Sequence, residues 1–313
     1  MDALPALAHR LIAVVGPTGS GKSDLALRLA EVVPAEIVSC DSLQVYRGLD
    51  IGSAKPSLEA RRRTPHHLID VVDPDQVFSA AQYAAAARQA VAEVQGRGRL
   101  PIVAGGTGLY LRALLVGLFQ GPSRDADFRR RVEGIANRFG DARLHRVLRR
   151  VDPAAAGRIH PRDRVRVVRA LEVFRATGRP LSEQHGMPGS TSFAAACVLG
   201  LALDRGELRR RIEARTRSML QGGLLEEVRG LLRRGYAPSL RPLQAIGYRQ
   251  AISTLQGEMT VEDAERDMVT ATMQYAKRQM TWFRNQTPQV RWHSSVEAAL
   301  EDGLAWLVSP GSR

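Results

Sequence analysis

Leu11-Ile12-Ala13-Val14-Val15 runs directly into Gly16-Pro17-Thr18-Gly19-Ser20-Gly21-Lys22-Ser23, and this stretch decides the fold. A short apolar, β-branched run is the signature of a buried parallel strand. The glycines that follow allow a tight turn and close backbone approach, and Lys22-Ser23 open a helix running through Leu25, Leu27 and Leu29. Strand, loop and helix N-terminus together form a cradle of backbone N–H groups for anionic oxygens. Lys22 adds a point charge for the terminal phosphate, and the Ser23 hydroxyl is placed to hold Mg²⁺. The loop does not say which phosphate compound it takes.

Working outward, 313 residues at 44% hydrophobic content can bury a large core, with room for a smaller inserted or appended unit. No run approaches 18 apolar residues, which argues against a membrane span. The start, MDALPALAHR, lacks the charged end and long apolar region of a signal peptide. Cys40 and Cys197 are too few for a disulfide framework or a zinc site, so a cytoplasmic protein is expected.

The net charge of +13 is unevenly spread. Residues 1–120 carry 12 Lys and Arg against 11 Asp and Glu, whereas residues 121–190 carry 16 against 8. Residues 191–250 carry 11 against 5, and residues 251–313 carry 6 against 8. Charged helix faces explain the abundance of arginine but not its concentration between 121 and 250. A polyanionic partner held by the middle of the chain does.

Further strands read at Glu36–Cys40, at Leu68–Val72 and at Leu100–Ala104, with a helix over Ala80–Gln95 between the last two. Such alternation predicts a doubly wound α/β fold, a P-loop NTPase-like parallel sheet flanked by helices. Ligands bind at the carboxyl ends of such strands. Three ends carry the phosphate loop, Asp41 and Thr107, which should meet at one pocket. From Gly121 to Gln184 the chain is Arg-rich and helical, with helices at Asp127–Asn137, Ala142–Arg150 and Val165–Thr177. The expected division is a core of 1–120 with 191–313, and a helical insertion domain of 121–190. Val198–Leu203 returns to the sheet. A helix from Arg205 to Gly235 is broken or kinked at Gly222-Gly223. Met268–Asn285 is the longest segment of a helical C-terminal region.

Eight ordered motifs carry a specific resemblance. They are the phosphate loop, Ser39–Tyr46, Asp50–Pro56, His66–Asp70, Gly105–Tyr110, Arg169–Val173, Gly247–Gln250 and Lys277–Arg284. Over residues 11 to 292 the chain resembles the tRNA dimethylallyltransferase (tRNA isopentenyltransferase) family in its bacterial form. The resemblance implies transfer of a dimethylallyl group from dimethylallyl diphosphate to N6 of the adenosine 3′ of the anticodon, adenosine 37, with diphosphate leaving. It implies Mg²⁺ as cofactor, the anticodon stem-loop of tRNA as partner, and a monomer.

The chemistry is coherent with those residues. The loop, Gly16, Pro17, Thr18, Gly19, Ser20, Gly21, Lys22 and Ser23, would stabilise charge on the departing diphosphate. An adenine amino group is a poor nucleophile, and a carboxylate accepting its proton helps, typically by ~10²–10⁴-fold. Asp41 is the candidate base, although a group behind a Mg²⁺ ligand, or a helix cap, would use the same position. Thr107 would orient the amino group or a phosphate oxygen, or cap the following helix. The family also places a diphosphate-binding arginine at Arg215, which its neighbours Arg210, Arg211 and Arg217 resemble in type.

For the RNA, the resemblance implies Asp41, Ser42, Leu43, Gln44 and Thr107 at the target adenine, and Arg129 on the insertion. It adds Val165, Arg166, Val167, Val168 and Arg169; Gln244, Ala245, Ile246, Gly247, Tyr248 and Arg249; and Lys277, Arg278, Gln279, Thr281, Trp282 and Arg284. The family usually has Gln-Arg where this chain has Val165-Arg166, a departure at the position expected to make a side-chain contact, while Arg166 and Arg169 remain. Tyr248, Trp282 and Phe283 are the available stacking partners, or else packing residues, and the adenine must flip out of its stack. A nucleotide or small-molecule kinase, a prenyltransferase of free adenine nucleotides and an NTP-dependent RNA-binding switch use the same loop. The kinase leaves the excess charge without purpose. The free-nucleotide enzyme has no use for the insertion, and the switch needs no base at Asp41.

Overall fold

A computed structural model describes residues 10–117, 121–122, 125–184, 196–287 and 289–309. Most of the start read as lacking a signal peptide (1–9), the end of the insertion (185–190) and the first residues of the returning core (191–195) lie outside the described residues. The chain opens with β1 (Leu11–Val15), α1 (Lys22–Val32), β2 (Ala35–Ser39), α2 (Leu58–Arg63) and β3 (His66–His67). Then come α3 (Ala80–Gly96), β4 (Leu100–Ala104) and α4 (Gly108–Leu115). Five helices follow: α5 (Ala126–Phe139), α6 (Asp141–Val151), α7 (Pro153–Arg158), α8 (Arg164–Thr177) and α9 (Leu181–Gln184). The remainder is β5 (Ala196–Leu201), α10 (Arg205–Gln221), α11 (Leu224–Arg233), α12 (Tyr248–Leu255), α13 (Val261–Gln286), β6 (Val290–His293) and α14 (Val296–Val308).

The chain divides into two compact units, Met1–Leu115 with Phe193–Arg313, and Val116–Ser192. The first holds a six-stranded sheet in the order β3-β2-β4-β1-β5-β6, parallel throughout. β1 is central because its side chains are apolar on both faces. Ile12 and Val14 point into one core with Leu25, Leu29, Leu199 and Ala299, while Leu11, Ala13 and Val15 point into another with Tyr83, Leu114 and Phe283. That two-sided burial is what a parallel strand requires. Arg10 donates to the carbonyls of Trp306, Leu307 and Ser309, satisfying the last turn of α14.

Two readings of the sheet are corrected. Leu68–Val72 is not a strand: pairing with β2 stops at His66–His67, Val72 makes only an isolated bridge to Tyr46, and Leu68 and Asp70 have φ of 62° and 57°, in the left-handed region. The turn brings the Asp70 carboxylate to Lys55 and Arg61, and an ion pair to the enclosed Lys55 outweighs local strand preference. The C-terminal region is not wholly helical, since β6 pairs with β5 at the sheet edge. The break at Gly222-Gly223 is present, with Gly223 at φ 100° starting α11. Among the described residues no helix is long and apolar enough to cross a membrane.

The second unit is all helical in its described residues, built around Val132, Leu144, Leu148, Val167, Leu171 and Val173. Aspartates start its helices: Asp125, Asp152 and Asp163 accept from Phe128 N, Ala155 N and Arg166 N. Glu172, 2% exposed, accepts two bonds from Arg129 (2.8 and 2.9 Å), one from Arg169 (2.6 Å) and one from Asp125 N (2.9 Å). These partners hold its carboxyl at about 2 against the opposing effect of burial.

Candidate active site

The phosphate loop folds because its glycines take conformations other residues resist. Gly16, Gly19 and Gly21 have φ of 144°, 81° and 96°, and a Cβ on Gly16 would lie 2.6 Å from the Leu201 carbonyl of β5. Gly21 starts α1 with no side-chain cap, so the N-cap takes none of the first N–H groups of that helix, the arrangement that suits an anion.

Two half-buried cations stand at this loop. Lys22 Nζ donates to the Pro17 carbonyl at 2.7 Å, and Arg215 of α10 donates to Thr18 Oγ1 at 3.2 Å. Burial, then the neighbouring Arg215, pushes the Lys22 ammonium down to about 7, with Asp41 acting in the opposite sense. Burial also lowers Arg215, again opposed by Asp41. Neutral oxygens are poor compensation for two adjacent cations, and the arrangement calls for an anion.

Asp41 and Thr107 come from the ends of β2 and β4, which approach so closely that a Cβ on Gly105 would run into the Cys40 carbonyl. Asp41 Oδ1 accepts from Leu43 N (2.8 Å) and Gln44 N (3.4 Å), and Oδ2 has no hydrogen bond among the described residues. The carboxylate therefore caps the turn with one oxygen and leaves the other without a protein partner among the described residues. The Thr107 hydroxyl does not cap α4. It accepts from Ser42 N at 3.0 Å, while its carbonyl receives Tyr110 N and Leu111 N.

Beside the loop lies a pocket of about 560 Å³, lined by Ser23, Ile51, Ala54, Ala214, Arg215, Ser218 and Met219. Only Ser23 and Arg215 of these were legible as site residues. Ile51, Ala54, Ala214 and Met219 look like ordinary packing residues in the sequence, and Ser218 like one more polar residue on a helix face. Glu227 accepts from the N–H groups of Asp50, Ile51 and Gly52 (2.9, 2.7 and 3.3 Å) and from the Tyr248 hydroxyl (2.8 Å). Lys55, its side chain 2% exposed, donates to the Tyr46 carbonyl, Asp50 and Asp70. The motif Asp50–Pro56 is thus a braced loop carrying Ile51 and Ala54 to the pocket.

The residues expected at RNA separate by exposure. On α13, Lys277, Arg278, Thr281 and Arg284 are exposed, and Trp282 is half-buried. Gln244 and Arg249 are exposed, with Ala245 and Ile246 half-buried. Ser42 and Leu43 are half-buried at the Asp41 turn, and Val165 and Arg166 are exposed on α8. Several others are corrected. Val167 and Val168 pack the core of the helical unit, because they lie on the inward side of α8. Tyr248 and Phe283 are buried in the sheet-containing unit, so neither ring can stack on a base. Gly247 is buried, and Gln44 uses both ends of its amide on Ser39, Ser53 and Ala54. Gln279 likewise spends its amide on backbone, donating to Gly106 and accepting from Thr18. Arg129 and Arg169 are not among these: both are half-buried and pair with Glu172 while keeping part of their side chains exposed.

A parallel sheet with a phosphate loop, a carboxylate at a neighbouring strand end and an adjoining partly apolar pocket defines an α/β protein built to hold an anionic ligand. Residues 44–286 match the family model described as IPP transferase. The tRNA dimethylallyltransferase of Geobacter metallireducens is 50% identical over 284 residues, 90% of this chain and 92% of that protein. That of Halorhodospira halophila is 49% identical, over 93% and 98%. Among solved structures, the full-length tRNA isopentenylpyrophosphate transferase of Bacillus halodurans is 37% identical with a TM-score of 0.69, covering 96% of this chain and 97% of that one. A eukaryotic dimethylallyltransferase acting on tRNA is 28% identical with a TM-score of 0.75, covering 92% and 75%. The chain belongs to the IPP transferase family.

Proposed function

We propose that this chain transfers a dimethylallyl group from dimethylallyl diphosphate to N6 of the adenosine 3′ of the anticodon in tRNA. The observation that carries this reading is the pocket beside the phosphate loop. Its polar residues are Ser23, Arg215 and Ser218, and its apolar wall includes Ile51, Ala54 and Met219. A ligand with a diphosphate head and a short apolar tail matches both.

In the transfer, N6 attacks the allylic carbon, the carbon–oxygen bond to diphosphate breaks, and the N6 proton passes to Asp41. Lys22, Arg215 and the loop N–H groups stabilise the charge that collects on the departing oxygens. Thr107 orients the Asp41 turn through Ser42. Among the described residues no cluster of three His, Cys, Asp or Glu forms a metal cage. Ser23, a hard hydroxyl oxygen at the pocket, suits an ion that takes its remaining ligands from phosphate and water, as Mg²⁺ does. Bound there, Mg²⁺ supplies further neutralisation of the leaving diphosphate.

The acceptor is a polyanion because the charge excess of residues 121–190 stands on helices with exposed arginines, Arg166 among them at 62%. A monomeric cytoplasmic enzyme is the simplest form of this reading. The test is incubation of the protein with Mg²⁺, dimethylallyl diphosphate and an anticodon stem-loop bearing the target adenosine. A mass gain of one dimethylallyl unit is expected, with AMP a far poorer acceptor and ATP donating no phosphoryl group. Phosphate transfer from ATP, or prenylated AMP beside inert stem-loop, overturns the reading.

A further inference from the structure

We propose that Gln279 is a positioning residue that holds the phosphate loop and the Gly105–Thr107 turn in register, and that it does not touch RNA. The inference rests on the prenyl-transfer reading and deepens it. Gln279 is 6% exposed, on the side of α13 opposite Lys277, Arg278, Thr281 and Arg284. Its Oε1 accepts from Thr18 N at 2.9 Å, and its Nε2 donates to the Gly106 carbonyl at 2.8 Å. One amide thus spans two loops far apart in sequence, and both of its partners are backbone atoms, the Thr18 N–H and the Gly106 carbonyl.

The two loops carry opposite halves of the chemistry. Thr18 also receives Arg215 and belongs to the cradle for the leaving group. Gly106 precedes Thr107, whose hydroxyl receives Ser42 N beside the proposed base Asp41. Their separation sets the distance between the breaking carbon–oxygen bond and the group that takes the proton. A displacement near 1 Å in such an alignment costs about 10²-fold in rate.

The glycine at 106 reports on the same contact. A Cβ there would run into Gln279 Nε2, and Gly16 O, at 4.0 Å, is the nearest backbone atom it would meet. Gly106 needs no positive φ, so the missing side chain makes room for the glutamine amide. In a chain without that amide, an alanine at 106 meets no obstacle.

The experiment is steady-state prenylation of the anticodon stem-loop by wild type, Gln279→Ala, Gln279→Met, Gly106→Ala and the double variant Gly106→Ala/Gln279→Ala. Stem-loop affinity and thermal unfolding are measured on each. Gln279→Ala and Gln279→Met are expected to lower kcat by about 10²-fold with unchanged stem-loop affinity. Gly106→Ala is expected to lower kcat as well, and the double variant to be no worse than Gln279→Ala, since the methyl and the amide compete for one space. Weakened stem-loop binding with unchanged kcat overturns the inference, as does multiplication of the two single defects. Unfolding of both Gln279 variants at the assay temperature also overturns it, making the residue one of packing alone. An inactive wild type overturns the prenyl-transfer reading itself; an active wild type with multiplying defects overturns only the role of Gln279.

Discussion

Thr107 Oγ1 accepts the backbone N–H of Ser42 at 3.0 Å, joining the ends of two neighbouring strands at the residue that follows Asp41. The bond fixes the turn in which Asp41 Oδ1 accepts Leu43 N–H. A threonine at a helix start thus serves a strand end instead of its own helix.

Asp41→Asn separates the two tasks of that carboxylate. The amide oxygen can still accept from Leu43 N–H, whereas the proton acceptor is lost. Turnover should fall by ~10²–10⁴-fold with the unfolding temperature and donor affinity nearly unchanged. Loss of diphosphate binding in isothermal titration would instead make Asp41 a metal-site group.

Lys22 sets the pH dependence of donor binding. Its ammonium is pushed down from 10.5 to about 7 by burial and Arg215, so the free protein loses this charge as pH rises through about 7. A bound diphosphate favours the protonated form, so donor binding should take up a proton above that pH and weaken as pH increases. Calorimetry in buffers of differing ionisation enthalpy reads the proton count directly. The unfolded lysine holds its proton up to its ordinary pKa, so between about 7 and 10.5 the unfolded state carries more protons than the folded one. The penalty of the buried ammonium is therefore fully present below pH 7 and relieved as pH rises through that window. Lys22→Met should abolish diphosphate binding without lowering the unfolding temperature at pH 6.

Arg166 and Arg129 should respond differently to removal. Arg166 is 62% exposed on α8, and Arg166→Ala should lower the salt slope of stem-loop binding by roughly 0.7–0.9 with no change in stability. Arg129 makes two bonds to a glutamate that is 2% exposed. Arg129→Ala should cost about 1–3 kcal/mol of stability, because Glu172 keeps Arg169 and Asp125 N but loses its bidentate partner. Denaturation of both variants beside a salt series separates the effects; a stable Arg129→Ala protein contradicts the second expectation.

Glu227 braces the pocket wall from behind. Glu227→Ala leaves three backbone N–H groups and the Tyr248 hydroxyl without their acceptor. A loss of about 1–3 kcal/mol and a raised KM for dimethylallyl diphosphate are expected, the latter because Ile51 and Ala54 ride on the released loop. Unchanged donor KM in a folded Glu227→Ala protein would show that the loop holds its place without the brace.

By itself the sequence determined what local pattern can encode. Leu11–Val15 had to be buried on both faces, the glycines at 16, 19 and 21 had to turn where no other residue turns easily, and Gly222-Gly223 had to interrupt a helix. Strand alternation then brought the loop, Asp41 and Thr107 to one edge of the sheet, since successive parallel strands end on the same side. The concentration of arginine between 121 and 250 was equally plain, being a property of composition.

Only the tertiary structure decided what long-range contacts decide. Whether Tyr248, Phe283, Val167 and Gln279 face solvent or core depends on which side of a helix meets a neighbour, and a motif match assigns residues without assigning sides. The shortness of β3 depends on Lys55 drawing Asp70 into an ion pair, and the roles of Glu227 and Glu172 depend on backbone and arginine partners remote in the chain. Those contacts exist only after folding, because the distance between their partners is set by packing and not by sequence spacing.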